Sequence, residues 1–266
     1  MQQYMRSTAV TIGDRTFRSE DLHIEFDVPF DDNTTPNESN IRIYNLTDDS
    51  INRIEHNQSV TLNTGYQGDI GVLLQGRVSY VTTRKQGPDK VTTVYVIDGT
   101  DLTGIKIERK AYTKGTRGSH LLNDLVPLLK LPVAAFRLPK DKVYDEGYSI
   151  SGQIVDNLSQ IARDCGASFY INRGNLYIRA LSDGDDAQFV LKVDTGLLDS
   201  PEGFFDDDAK GYNIRCLLQH RITTASIIDL DSRYVKGRFR ARRGRHICNE
   251  SEFITEMEVV ESVGGR

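Results

Sequence analysis

Tryptophan is absent from the 266 residues, methionine and cysteine occur three times each, and proline seven times. Each scarcity closes off a class of explanation. Cys165, Cys216 and Cys248 are an odd number in a long chain, so no disulfide framework holds it, and a reducing compartment such as the cytoplasm suits it. No apolar run approaches the ~18 residues of a membrane span. Met1-Gln2-Gln3-Tyr4 lacks the apolar stretch of a signal peptide, and the chain reads as one that inserts into no membrane. Positive charge is not in excess: 33 Lys+Arg stand against 38 Asp+Glu, a formal net charge of -5, with a pI of about 5.6. The overall charge therefore makes no case for nucleic acid. Catalytic signatures are missing as well. Gly115-Thr116-Arg117-Gly118-Ser119 lacks the Gly-Lys-Ser/Thr ending of a P-loop, and there is neither a Gly-x-Ser-x-Gly elbow nor a recognisable triad.

What is present is β-forming. The hydrophobic share is 38 %, glycine occurs 22 times, and mean hydropathy is -0.43. The apolar residues come in short alternating runs. Leu22, Ile24, Phe26 and Val28 alternate with His23, Glu25 and Asp27, the pattern of a half-buried strand. Further strands are predicted at 41–46, 60–64, 72–83 and 91–98, the last two joined by the turn Gln86-Gly87-Pro88-Asp89. Asn45 and Thr47 are placed to cap a short segment in which Ile51 and Ile54 share a face. Many short strands in succession imply a small barrel or sandwich.

The composition changes near Ala111. Lys114 to Gly118 reads as a flexible joint. Leu121, Leu122, Leu125, Leu128 and Leu129 then recur at helical spacing, interrupted by Pro127. A helix is expected over 151–165, with Ser151 as its N-cap, Ile154, Leu158 and Ile161 on one face and Gly166 as its stop. A hairpin follows, turning at 172–175. After a polar linker, strands are predicted at 189–193, 213–218, 227–230, 234–240 and 253–260. The fold class is mainly β with an inserted α+β module. The expected domains are a first barrel at 1–110, the module at 111–181 and a second barrel at 182–266.

Three groups of residues invite chemistry. Cys216, His220, His246 and Cys248 are the ligand types zinc prefers, but their spacing matches no common zinc knuckle. The alternative is two buried cysteines and two unrelated histidines. No metal or other cofactor is expected. Arg233 to Arg245 is a basic stripe in which Arg238, Arg240 and Arg242 alternate, with Arg243 beside them. It suits a solvated strand face, an interface with an acidic surface such as Asp206-Asp207-Asp208 of a neighbouring copy, or phosphate binding. Asp183-Gly184-Asp185-Asp186 and Asp206 to Asp208 lack the spacing of a calcium loop.

Order and spacing then suggest a family. Ile41-Arg42-Ile43-Tyr44-Asn45-Leu46 is followed by Gly65-Tyr66, by Leu74-Gln75-Gly76-Arg77-Val78 and by Asp98-Gly99; later come Gly196, Pro201 and the strand carrying Cys216-Leu217-Leu218. This succession resembles the baseplate hub proteins of phage tails, those of contractile T-even phages and of prophage-like particles. The resemblance implies a non-enzymatic virion structural protein, assembled in the host bacterial cytoplasm. It implies a homotrimer whose two barrels per chain make a pseudo-sixfold ring between a sixfold tail tube protein and a threefold central spike protein. The lumen of such a ring passes the tape-measure protein and then DNA, and other baseplate proteins surround it. With the sequence ending at Arg266, the spike is expected to be a separate protein. Two other readings stay open: a cell-wall hydrolase carried in the baseplate, whose paired carboxylates need not be close in sequence, and a nucleic-acid-binding β-protein that uses the basic stripe.

Overall fold

A computed structural model describes residues 5–99, 102, 104–172, 174–180, 183–184, 188–206 and 209–261. By contacts the chain makes two compact units. The first takes in the chain up to Asp31, Asn37–Asp98 and everything from Gly184 onward; the second takes in Asp32–Pro36 and Gly99–Asp183.

The N-terminal part of the first unit supplies β1 (Arg6–Ile12), β2 (Arg15–Arg18), β3 (Ile24–Phe30), β4 (Glu38–Tyr44), β5 (Ser59–Tyr66), β6 (Asp69–Gln86) and β7 (Asp89–Ile97). In β3 and β4 Phe26, Ile41 and Ile43 are buried while Arg42 is exposed, but Glu25, expected on the polar face of β3, is buried as well, with the Arg42 guanidinium 3.0 Å from its carboxylate. Thr47 caps the five-residue helix α1 (Asp48–Asn52), its hydroxyl accepting the Ser50 N–H at 3.2 Å. Asn45 does not cap. It sits at φ 57, and its side chain reaches the Lys90 N–H at 2.9 Å and Asp89 at 2.8 Å, tying the exit of β4 to the start of β7. The β6–β7 hairpin closes at Gln86↔Asp89. Gly87 takes φ +59 at the first turn position, and Pro88 follows where a negative φ is wanted.

The second unit holds β8 (Lys106–Tyr112), β9 (Thr116–Arg117), α2 (Gly118–Leu125), β10 (Val133–Phe136), β11 (Val143–Tyr144), β12 (Tyr148–Gln153), α3 (Ile154–Asp164), β13 (Ser168–Asn172) and β14 (Asn175–Arg179). Residues 104–110, expected at the end of the first barrel, lie here because β8 pairs with β12. The expected joint at Lys114–Gly118 is an ordered crossing: β9 pairs with β11, and the Gly118 N–H donates to the Lys142 carbonyl at 2.7 Å. Gly118 is required there, since a Cβ would stand 2.3 Å from Cys165 Sγ. Pro127 ends α2 by entering a 3-10 turn, Val126–Leu129, near its start, where its missing N–H costs nothing. Helix α3 begins three residues later than expected, because β12 holds Ser151 in a strand. Asn157 reaches back from the first turn to the carbonyls of Ser151 and Gln153 at 3.0 and 2.7 Å. Gly166, at φ +73, stops the helix, with the Ala167 N–H returning to the Ala162 carbonyl at 2.9 Å. Leu121, Leu125, Ile154, Leu158, Ile161, Leu176 and Ile178 form the core of this unit.

The C-terminal part returns to the first unit with β15 (Gln188–Leu191), β16 (Glu202–Asp206), β17 (Ala209–Leu217), β18 (Ile227–Asp231), β19 (Lys236–Cys248) and β20 (Phe253–Glu261). Strand β16 was not foreseen, and β19 runs eight residues beyond the end expected at Arg240. Among the described residues one ladder runs β16-β17-β20-β19-β3-β4-β7-β6-β5-β1-β2, with β18 on β19 and β15 on β18. It passes over two cores. One gathers Phe26, Ile41, Ile43, Leu62, Val94 and Val96; the other gathers Ile214, Cys216, Ile228, Ala241, Met257 and Val259. Each core borrows from the opposite end of the chain: Phe253 and Leu218 enter the first, Phe30 the second. The protein is therefore mainly β, with two β cores and an inserted α+β module.

Truncating either kind of core is expected to be costly. Ile41→Ala and Leu158→Ala should each lose about 2–5 kcal/mol in urea unfolding. A loss below about 1 kcal/mol at either site would contradict the packing described.

Candidate functional site

The outward face of β17, β20, β19 and β3 carries a charged lattice, and strand register builds it. Arg215 lies opposite Glu256, and Glu256 opposite Arg245. Arg215 Nη1 donates to Asp199 Oδ2 at 2.8 Å, Nη2 to Glu252 Oε1 at 2.8 Å and Nε to Glu256 Oε1 at 3.0 Å. The other oxygen of Glu256 accepts from Arg245 Nε at 3.2 Å, and Arg245 Nη1 reaches Asp27 Oδ2 at 3.5 Å. One row over, Arg243 Nε donates to Glu258 Oε2 at 2.7 Å. The carboxylates around Arg215, Asp199 first, raise its pKa above the ordinary value. Asp27 moves up as well, because burial outweighs the attraction of Arg245. A groove of about 440 Å³ lies along this face, lined among others by Phe30, Asp31, Gly244, Met257 and Glu258.

The basic stripe is thus largely committed within its own chain. Arg243 and Arg245 pair with β20 and β3, Lys236 pairs with Asp231 at 2.6 Å, and Arg238 lies 3.8 Å from Asp229. The expected alternation of Arg238, Arg240 and Arg242 on one exposed face is corrected. Arg240 is fully buried, at 0 % exposure, and a register shift between Ala241 and Arg243 interrupts the alternation at Arg242, which is half-buried. Asp207 and Asp208 lie outside the described residues, and Asp206 marks the end of β16.

The four suggested metal ligands are not brought together. Cys216 is buried in the second β core, and burial pushes its thiol up to about 12. Cys248 packs against the first core, its Sγ 3.6 Å from the Ile24 carbonyl, and burial raises it to about 11. Both ring nitrogens of His246 are engaged: Nε2 donates to the Ile222 carbonyl at 3.1 Å, and Nδ1 meets the Thr255 hydroxyl at 2.9 Å. His220 is buried beside Gly71, where a Cβ would lie 2.2 Å from its Nε2. Among the described residues no three His, Cys, Asp or Glu side chains are grouped to hold a metal.

The residues that carried the family resemblance have structural posts. Ile41, Ile43, Leu46 and Tyr66 pack the first core, while Tyr44 meets His23 edge to face at 4.6 Å. Gly65 allows β5 to turn into β6: a Cβ there would stand 2.1 Å from the Asp69 carbonyl. Asp98 accepts the Asn37 N–H at 2.9 Å and returns its own N–H to the Asn37 carbonyl at 3.2 Å, tying together the first and last residues of the Asn37–Asp98 segment of the first unit. Burial raises the Asp98 carboxyl above the usual range. Gly99 follows it directly, at the start of the second unit, near Pro36. Gly196 takes φ 104, its carbonyl accepting the Leu217 N–H at 2.8 Å, and Leu197 bridges to Cys216, so this turn docks on β17. Pro201 directly precedes β16.

The whole arrangement has known counterparts. A prophage MuSo2 43 kDa tail protein from Shewanella oneidensis superposes with a TM-score of 0.66 over 96% of this chain and 98% of its own, at 10% identity. A tail protein from Neisseria meningitidis MC58 gives 0.65 over 97% of both chains, at 11% identity. The fold is that of phage tail proteins. An E. coli type VI secretion component, described as structurally similar to T4 bacteriophage tail proteins gp27 and gp5, gives 0.60 over 95% of this chain and 76% of its own, at 8% identity. No family model and no curated protein matches the sequence.

Two outcomes follow from the site geometry. Arg215→Met should cost about 1 kcal/mol in low salt and less at 1 M salt, since the lattice is half-exposed; equal losses at both salts would remove the ionic account. Cys216 has a folded-state pKa of about 12, above its ordinary 9.0, so its contribution is complete below pH ~9 and is lost as pH climbs toward 12. Thiol titration at pH 8 should leave Cys216 and Cys248 unmodified until the protein is unfolded. Rapid labelling of both in the native state would contradict their burial.

Proposed function

We propose that the chain is a structural subunit of a phage tail or a phage-like injection machine, and that it serves as the hub. The observation that carries the reading is the pair of β cores joined by one ladder, together with a match to tail-protein folds over nearly the full length of both chains. Two similar cores per chain are what a threefold assembly needs in order to offer six comparable contacts. A homotrimer of this chain would thus join a sixfold tail tube to a threefold central spike. The role is geometric and needs no catalytic group.

The electrostatics support a channel that DNA passes through without being held. The net charge is -5, and the guanidinium groups of Arg215, Arg243 and Arg245 are already paired with carboxylates of the same chain. These three guanidinium groups are therefore not left to release counterions from a phosphate backbone. The partners on this reading are the tube, spike, tape-measure and other baseplate proteins, in a tail baseplate assembled in the host cytoplasm.

Light scattering tests the proposal directly. The expected mass is three times the 30.0 kDa of the chain, alone or with the spike protein. A chain that stays monomeric at all concentrations, and with both spike and tube proteins, would overturn it.

A further inference from the structure

Two strands of the first unit present open edges of opposite charge. The first is the outer half of β6. Strand β5 pairs with β6 only from Asp69 to Arg77, whereas β7 follows it out to Gln86. Gln58 and Asn57 exchange backbone hydrogen bonds with Val78, and the His56 ring bonds the Ser79 carbonyl at 2.7 Å. From Tyr80 to Gln86, among the described residues, no strand covers the side of β6 that β5 occupies lower down. The sequence of this overhang is Tyr-Val-Thr-Thr-Arg-Lys-Gln. Arg84 and Lys85 are exposed, and among the described residues their side chains make no ion pair or hydrogen bond. Tyr80 is 46% exposed and stacks on Tyr95 with ring centroids 4.0 Å apart.

The second edge is β16, at the end of the ladder, which among the described residues pairs only with β17. It begins with Glu202 and ends with Asp206. Between them Phe205 is 85% exposed, the most exposed large hydrophobic residue among those described. An open strand edge invites pairing and is normally blunted by charge, proline or a bulge. The overhang of β6 has such charges, which alone would read as protection. Strand β16 has an exposed phenylalanine on its edge, the opposite of protection.

We infer that these two edges are each other's partners in different copies of the chain: the Tyr80–Gln86 overhang of one copy adds as a strand to β16 of the next. The inference rests on the oligomeric reading above and names its contact. On one face of the new ladder Lys85 meets Glu202, and on the other the aromatic rings of Tyr80 and Phe205 lose water. Backbone groups on both edges gain partners, and the five residues of β16 set the length of the new ladder. Both complementary edges lie on the same chain, which favours a second copy over an unrelated protein. The contact joins two different patches, so it is head to tail and closes only as a ring.

The test is mass against concentration by light scattering, with circular dichroism melts to verify folding. The wild-type chain should assemble. Lys85→Glu should raise the concentration of half-assembly about tenfold or more, and Phe205→Ser, an exposed site that leaves the cores intact, should do the same. Adding Glu202→Lys to the first variant should restore assembly. If the wild type assembles and both variants keep its mass, or if the charge swap restores nothing, this contact is wrong and the ring proposal stands. A wild type that is monomeric at every concentration, alone and with both spike and tube proteins, overturns both.

Discussion

Everything in the first unit depends on the pairing of β3 with β19. Five residue pairs, Phe26↔Cys248 through Phe30↔Gly244, join the two ends of a chain whose partners lie more than 200 positions apart. This seam turns two strand groups into one ladder and puts Phe30 into the core of the C-terminal group. Gly244 makes it feasible, because a Cβ there would stand 2.6 Å from the Phe30 ring and 2.2 Å from the Glu256 carbonyl. On the outward face Arg245 spans the same seam to Asp27. Long-range antiparallel pairing carries a heavy closure entropy, so hydrophobic burial on one side and ionic contacts on the other both act at the place where the cost is greatest.

The lattice changes what the arginine-rich segment means. Seven basic residues between Arg233 and Arg245 look like a surface prepared for an external anion. In the fold, the anions for several of them come from the neighbouring strands. The inward residues of β20, Thr255, Met257 and Val259, leave Glu256 and Glu258 outward, in register with Arg245 and Arg243. Charge of both signs in matched rows specifies register, since a slip of one residue would turn the rows inward. The segment is better understood as part of what aligns the ladder than as a ligand site.

Much of the fold was legible because it follows from local pattern. Period-two alternation located β3 through β7, the Gly87-Pro88 turn located the hairpin, and the spacing of Ile154, Leu158 and Ile161 located α3. The start of α3 was misplaced because Ser151 is a good cap by type, while the pairing of β12 with β8 is a tertiary fact. Strand β16 was missed because Glu202-Gly203-Phe204-Phe205-Asp206 lacks β-branched residues and is rich in acid. The burial of Arg240 was not legible either, since nothing local signals the bulge beside it. The lattice had a signal that went unused: an alternating acidic strand, Thr255 to Glu258, close behind an alternating basic one. Division of the chain at Asp98 and Gly184 depends on which strands pair, which composition alone does not report.

The seam also sets an order of events on the ribosome. At about 5–20 residues per second, β3 waits on the order of 10–40 s for β19 to be made. During that interval the entire second unit emerges with all of its own core residues, from Leu102 to Ile178, while Phe26, Val28 and Phe30 wait beside an unfilled strand position. The nascent chain therefore passes through a stage in which a finished module hangs from a half-built sheet.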